Sequence, residues 1–130
     1  MPAIDVVDST WICAPPAVVA AIVAEPANWR RWWPELDLVA EDRRGDKGVR
    51  WTVRPTSSGE SGSMEVWLEP ALDGVVLHYI LRLDAADGRR MGRRRQTRLT
   101  HFHRRRAKVA FWALGDQLDP GRTTRIAAPR

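Results

Sequence analysis

Hydrophobic and polar positions alternate with a period of two through much of the chain up to Leu83, and the period becomes helical only after Gly88. Residues 3–12 predict a strand: they are rich in β-branched side chains, with Ile4, Val6, Thr10 and Ile12 in one phase and acids at Asp5 and Asp8. Pro15 and Pro16 break it. Pro16 suits the first position of a helix, where its missing N–H is not needed, and Val18, Val19, Ile22 and Val23 follow at helical spacing. Pro26 ends that short helix, and a second over residues 27–33 stops at Pro34. Strands are then expected over residues 36–42, 49–54, 64–69 and 75–83, separated by polar turns at 43–48, 55–62 and 70–74. Val49, Trp51 and Val53 point one way and Arg50, Thr52 and Arg54 the other, so one sheet face is buried and one wet. Residues 93–118 predict a long helix. At about 100° per residue, Leu99, His103, Ala110, Leu114 and Gln117 fall within about 60°, flanked by Phe102 and Ala113 on one side and Ala107, Phe111 and Leu118 on the other. The chain therefore reads as α+β. A curved antiparallel sheet of about five strands carries two short helices and a long C-terminal helix packed across it. One domain is expected over residues 1–119 and a disordered tail over 120–130.

Charge changes that picture. The chain has 21 Lys plus Arg against 16 Asp plus Glu. Ten of the basic residues lie in the acid-free window 89–108, so the remaining 11 basic against 16 acidic residues leave the rest at −5. An acidic body thus carries one cationic segment, the mark of a site for an anionic partner or of a solvated helix face paired with acids. No run approaches the roughly 18 apolar residues of a membrane-spanning helix. The first ten residues lack a positive start and an apolar core, so a cytoplasmic location is the expectation. Cys13 is the single cysteine, which excludes an intrachain disulfide and a cysteine zinc site.

The block Ile12-Cys13-Ala14-Pro15-Pro16-Ala17-Val18-Val19, followed by Val23-Ala24-Glu25-Pro26-Ala27-Asn28-Trp29 and Trp32-Trp33-Pro34, resembles the START-like (SRPBCC) superfamily, in particular its bacterial polyketide cyclase/dehydrase and lipid-transport branch. The element order matches that superfamily's helix-grip fold. Family members usually have seven strands, two more than are expected here. The cavity is therefore expected to be shallow, open on one edge or completed by a second copy. An uncapped edge at residues 75–83 would favour a homodimer.

The resemblance implies a hydrophobic pocket between sheet and last helix. Here it would be lined by Trp51, Val53, Met64, Val66, Leu77, Tyr79 and Leu81, with Phe102, His103 and Ala110 opposite, or these residues would simply be core. Such a lining suits a small hydrophobic or aromatic ligand, lipid or polyketide-like, oriented by Tyr79 and His103. The family alternative is a cyclase or dehydratase moving a proton with His103 or Tyr79. His78 has the outward parity, Asp8 suits a cap or turn, and Arg50 and Arg54 are expected to pair across the wet face with Glu65 and Glu69. His101 and His103 diverge by about 200° on a helix and cannot share a metal. No nucleotide-binding or nucleophile motif is present, and no cofactor is expected. The third reading is an interaction module. Arg94, Arg95, Arg98, Arg104, Arg105, Arg106 and Lys108 would dock an acidic protein, such as an acyl carrier protein, or an anionic membrane. The segment has no interleaved stacking aromatics and no recognition motif, which argues against sequence-specific nucleic acid.

Overall fold

The structure, a computed structural model, describes residues 2–120. The expected tail from 121 onward lies outside the described residues. Five strands, β1 (Ile4–Ile12), β2 (Asp37–Arg43), β3 (Gly48–Arg54), β4 (Glu60–Ala71) and β5 (Gly74–Ala85), form one antiparallel sheet in the order β1-β5-β4-β3-β2. Helices α1 (Pro16–Val23) and α2 (Pro26–Trp32) fill the connection from β1 to β2, and α3 (Arg93–Leu118) closes the chain.

Proline sets both short helices. Pro16 and Pro26 each stand at a helix start, so Pro26 begins α2 instead of merely ending α1. The Glu25 side chain caps α2 by accepting from the Ala27 amide. In the sheet, the expected inward phases hold: Ile4, Val6, Thr10 and Ile12 are buried on β1, as are Leu77, Tyr79, Leu81 and Leu83 on β5. The strand β4 starts earlier than its pattern predicts, at Glu60 inside the Ser/Gly run. Pairing along all of β5, from Glu60 opposite Ala85 to Ala71 opposite Gly74, draws those small residues into the ladder.

Three expectations are corrected. Strand β5 is no edge, because β1 returns to pair with it along its length, Ile4 opposite Leu83 through Ile12 opposite Val75. The terminal strands are β1 and β2, and on β2 a register shift between Ala40 and Asp42 and the exposed Glu41, Asp42 and Arg43 discourage strand addition. The expected edge at residues 75–83 is thereby moved to the terminal strands β1 and β2. The wet face is also wired differently: Arg44 bridges Asp42 and Glu65, Arg54 faces Asp37, and Glu69 holds His78. Asp8 is neither cap nor turn. It sits mid-strand, 2.9 Å from the Lys108 ammonium, which also donates to the Ser9 carbonyl and the Thr10 hydroxyl and so clamps α3 onto β1.

The interior is built on aromatic rings. Trp33 stacks on Tyr79 with centroids 6.0 Å apart and meets Trp51 and Phe111 edge-on, while Trp29 meets Trp51 at 5.2 Å. The proline-delimited α2 thus delivers its Trp residues to the middle of the sheet, and α3 seals them with Phe111, 5.6 Å from Tyr79.

Candidate functional site

Packing separates the expected pocket into two parts. Trp51, Val53, Met64, Val66, Leu77, Tyr79 and Leu81 are at most 1% exposed and form a filled core. Phe102 and His103 instead line a cleft of about 280 Å³ between the first half of α3 and the loop before β4. Ala110 belongs to a different groove of about 310 Å³ beside Trp32. The buried stripe of α3 is His103, Ala107, Ala110, Phe111, Leu114 and Gly115, rotated from the expected centre; Phe102 is left 40% exposed and Gln117 outside. Phe111 decides the rotation, since it is the ring that fits against Tyr79 and Trp33.

Leu36, Leu99 and Phe102 make the apolar walls of the cleft, and Glu35, Glu60, His103, Thr56 and Ser58 supply its polar groups. Glu60 is 1% exposed. Its carboxylate accepts from the Ser58 hydroxyl at 2.9 Å and is paired with Arg95, which also donates to the Ser58 carbonyl. Glu35 holds Arg106 at 3.1 Å through one oxygen, and Arg106 lies over the Phe102 ring. Its other oxygen is buried without a hydrogen-bond partner, and so is His103 Nδ1. Burial lowers the His103 pKa; Glu60 opposes the shift and Arg106 adds to it, so the ring is neutral at pH 7. In the aromatic core the Tyr79 hydroxyl, Trp33 Nε1 and Trp51 Nε1 also lack hydrogen-bond partners. Burial, with the Glu35 and Asp8 carboxylates, pushes the Tyr79 pKa up, so this phenol stays protonated.

Larger depressions of about 420 and 520 Å³ surround the start of α3, but their rims carry the exposed Arg90 and Arg93 or Arg89 and no buried, unpartnered polar group. On the outer sheet face, Ser9 Oγ lies 2.8 Å from His78 Nδ1 and Glu69 Oε1 2.9 Å from His78 Nε2, beneath Trp67. This has the order of a nucleophile relay but joins exposed side chains of neighbouring strands on the solvent-facing side of the sheet; it is a cross-strand network.

The basic residues divide as well. Arg95, Arg106 and Lys108 are engaged with Glu60, Glu35 and Asp8 inside the molecule. Arg94, Arg98, Arg104 and Arg105 are exposed and make no ion pair among the described residues. Sequence reasoning passed over Glu35 and Glu60. Glu60 shares the inward parity of Met64, Val66 and Leu68, a signal masked by the turn-like residues around it; Glu35, between Pro34 and Leu36, carries no periodic signal.

No family model and no curated protein matches the sequence. Solved structures do match the fold. A START superfamily protein from Mycobacterium smegmatis aligns with TM-score 0.68 at 10% identity, covering 88% of this chain and 98% of its own. Protein MLL2253 from Mesorhizobium loti gives 0.67 at 15% identity, covering 90% and 98%. The Aha1 dimer from Colwellia psychrerythraea gives 0.63 at 10% identity, covering 92% and 98%. The chain therefore has the START-like helix-grip fold, with five strands.

Proposed function

Taking the START-like helix-grip fold as its frame, we propose that the protein binds a small hydrophobic or aromatic molecule non-covalently in the cleft walled by Leu36, Leu99 and Phe102. One observation carries this reading. The cleft sets the apolar side chains of Leu36, Leu99 and Phe102 beside a few polar ones, Glu35, Thr56, Ser58, Glu60 and His103, the combination that holds and orients a small apolar molecule.

The test is native mass spectrometry of the purified protein, together with Trp fluorescence and thermal shift against hydrophobic and polycyclic aromatic compounds. A retained mass or a saturable rise in melting temperature is expected. No shift with any of these compounds overturns the reading. A catalytic version, a cyclase or dehydratase, is supported by the same His103, whose lowered pKa leaves one ring nitrogen unprotonated near neutrality. It requires His103→Gln to lose turnover while keeping affinity.

A further inference from the structure

Helix α3 has a second apolar stripe, roughly opposite the one it buries against the sheet. Phe102, Val109 and Trp112 are 40%, 56% and 51% exposed, and at about 100° per residue they fall within about 80° of one another. Arg94, Arg98 and Arg105 lie inside the same arc. The column Arg94, Arg98, Phe102, Arg105, Val109, Trp112 thus runs in steps of three or four residues over about 27 Å of helix. Its three arginines are exposed and make no ion pair among the described residues. Both rings carry a neighbouring cation, Arg106 at 5.1 Å from the Phe102 centroid and Lys108 at 5.6 Å from that of Trp112, and stay exposed all the same. Asp116, the next residue of the column, ends its run of cationic and apolar side chains.

We propose that this face docks on an anionic lipid bilayer, with α3 lying along the surface, Phe102, Val109 and Trp112 among the headgroups and the three arginines on lipid phosphates. Charge decides against a second copy, which would set one acid-free cationic face against another. Shape decides against an acidic protein. The outer side of a helix is convex, so a protein would need a groove that alternates carboxylates and apolar pockets in the same steps. A bilayer needs no such match, because its headgroup layer admits the rings while the long arginine stems reach the phosphates. Arg98 and Phe102 also line the cleft, so docking sets that cleft beside the lipid.

Flotation and Trp fluorescence of the full chain with vesicles of phosphatidylcholine, alone or with phosphatidylglycerol, test this. Binding is expected only to the anionic vesicles, should weaken as salt is raised, and should bring quenching by brominated lipid. Trp112→Ala is expected to remove that quenching and to weaken binding about tenfold. Arg94→Ser/Arg98→Ser/Arg105→Ser should weaken it about 100-fold, each arginine near such a surface being worth about fivefold. All four positions are exposed, so circular dichroism and melting temperature should stay unchanged. Polyglutamate, an acidic chain without a bilayer, is the comparison. If it binds as tightly as the anionic vesicles, the face belongs to an acidic protein and the bilayer proposal is overturned. Vesicle adsorption that Trp112→Ala leaves unaltered, or no binding to the anionic vesicles, overturns it as well. Ligand titrations at the cleft are independent of each of these outcomes.

Discussion

Glu60 and Arg95 show how far one residue's role depends on where its neighbours fold. Arg94 and Arg95 are adjacent in a run of three arginines, yet Arg94 is exposed whereas Arg95 neutralises a carboxylate that is 1% exposed. Removing Arg95 leaves that carboxylate buried and uncompensated. Arg95→Ala is expected to cost about 2–3 kcal/mol, below the value for a fully buried pair because the arginine side chain is itself 38% exposed. Arg94→Ala should stay within about 0.5 kcal/mol. Urea denaturation of the two variants, followed by Trp fluorescence, checks the contrast.

His103 supplies a second residue-scale prediction. Because burial, with help from Arg106 and against Glu60, holds its imidazole below the ordinary range, the folded protein takes up this proton less readily than the unfolded chain. Above the unfolded value of about 6.5 both forms are neutral and His103 adds no pH dependence. As the pH falls below it, the unfolded chain gains a proton that the fold resists, and stability drops. The melting temperature is expected to decline as the pH falls through and below about 6.5, and His103→Gln should flatten that decline. An equal slope in the variant would reject the assignment.

Among the elements, the β2–β3 connection tolerates little change. A short 3₁₀ turn, Gly45–Lys47, hands over to Gly48 at φ 121°, where a Cβ would lie 2.0 Å from the Val66 carbonyl oxygen on β4. Only glycine lets the chain enter β3 this close to its neighbour. Gly48→Ala is expected to lower stability by about 2–4 kcal/mol, from backbone strain and the displaced ladder together, as measured by thermal unfolding. Helix α3 teaches a different lesson. Its length and existence were legible from period and composition, since 26 residues of helical spacing with a broad apolar stripe admit no other element. Its rotation was not, because helical periodicity ranks Phe102 and Phe111 alike and only the Trp33–Tyr79 stack decides which ring fits.

At the scale of the molecule, the charge asymmetry becomes a surface. Arg94, Arg98, Arg104 and Arg105 project from α3, whereas Arg95, Arg106 and Lys108 are spent on internal pairs. Any interaction through this face, with an acidic protein or an anionic membrane, must use the first group. The variant Arg98→Ser/Arg104→Ser/Arg105→Ser is expected to elute from a polyanion resin at lower salt with its melting temperature little changed. Arg106→Ser should instead lower the melting temperature by freeing Glu35. Retention that ignores the triple change would place the anion-binding surface elsewhere.

What the sequence by itself determined is whatever rests on near-neighbour spacing. The strands follow from alternation, the short helices from Pro16 and Pro26, the long helix from its stripe, and the START-like resemblance from the Pro/Trp block at residues 12–34. What only the tertiary structure decided is how distant residues meet. The return of β1 onto β5, the closing of the sheet face by Trp33 and Phe111, and the meeting of Glu35, Glu60 and His103 at one cleft join segments up to dozens of residues apart. Periodicity reports which way a side chain points from its own element. Whether that direction ends in a filled core, an ion pair or a cleft depends on what another part of the chain places there, and no local pattern encodes it.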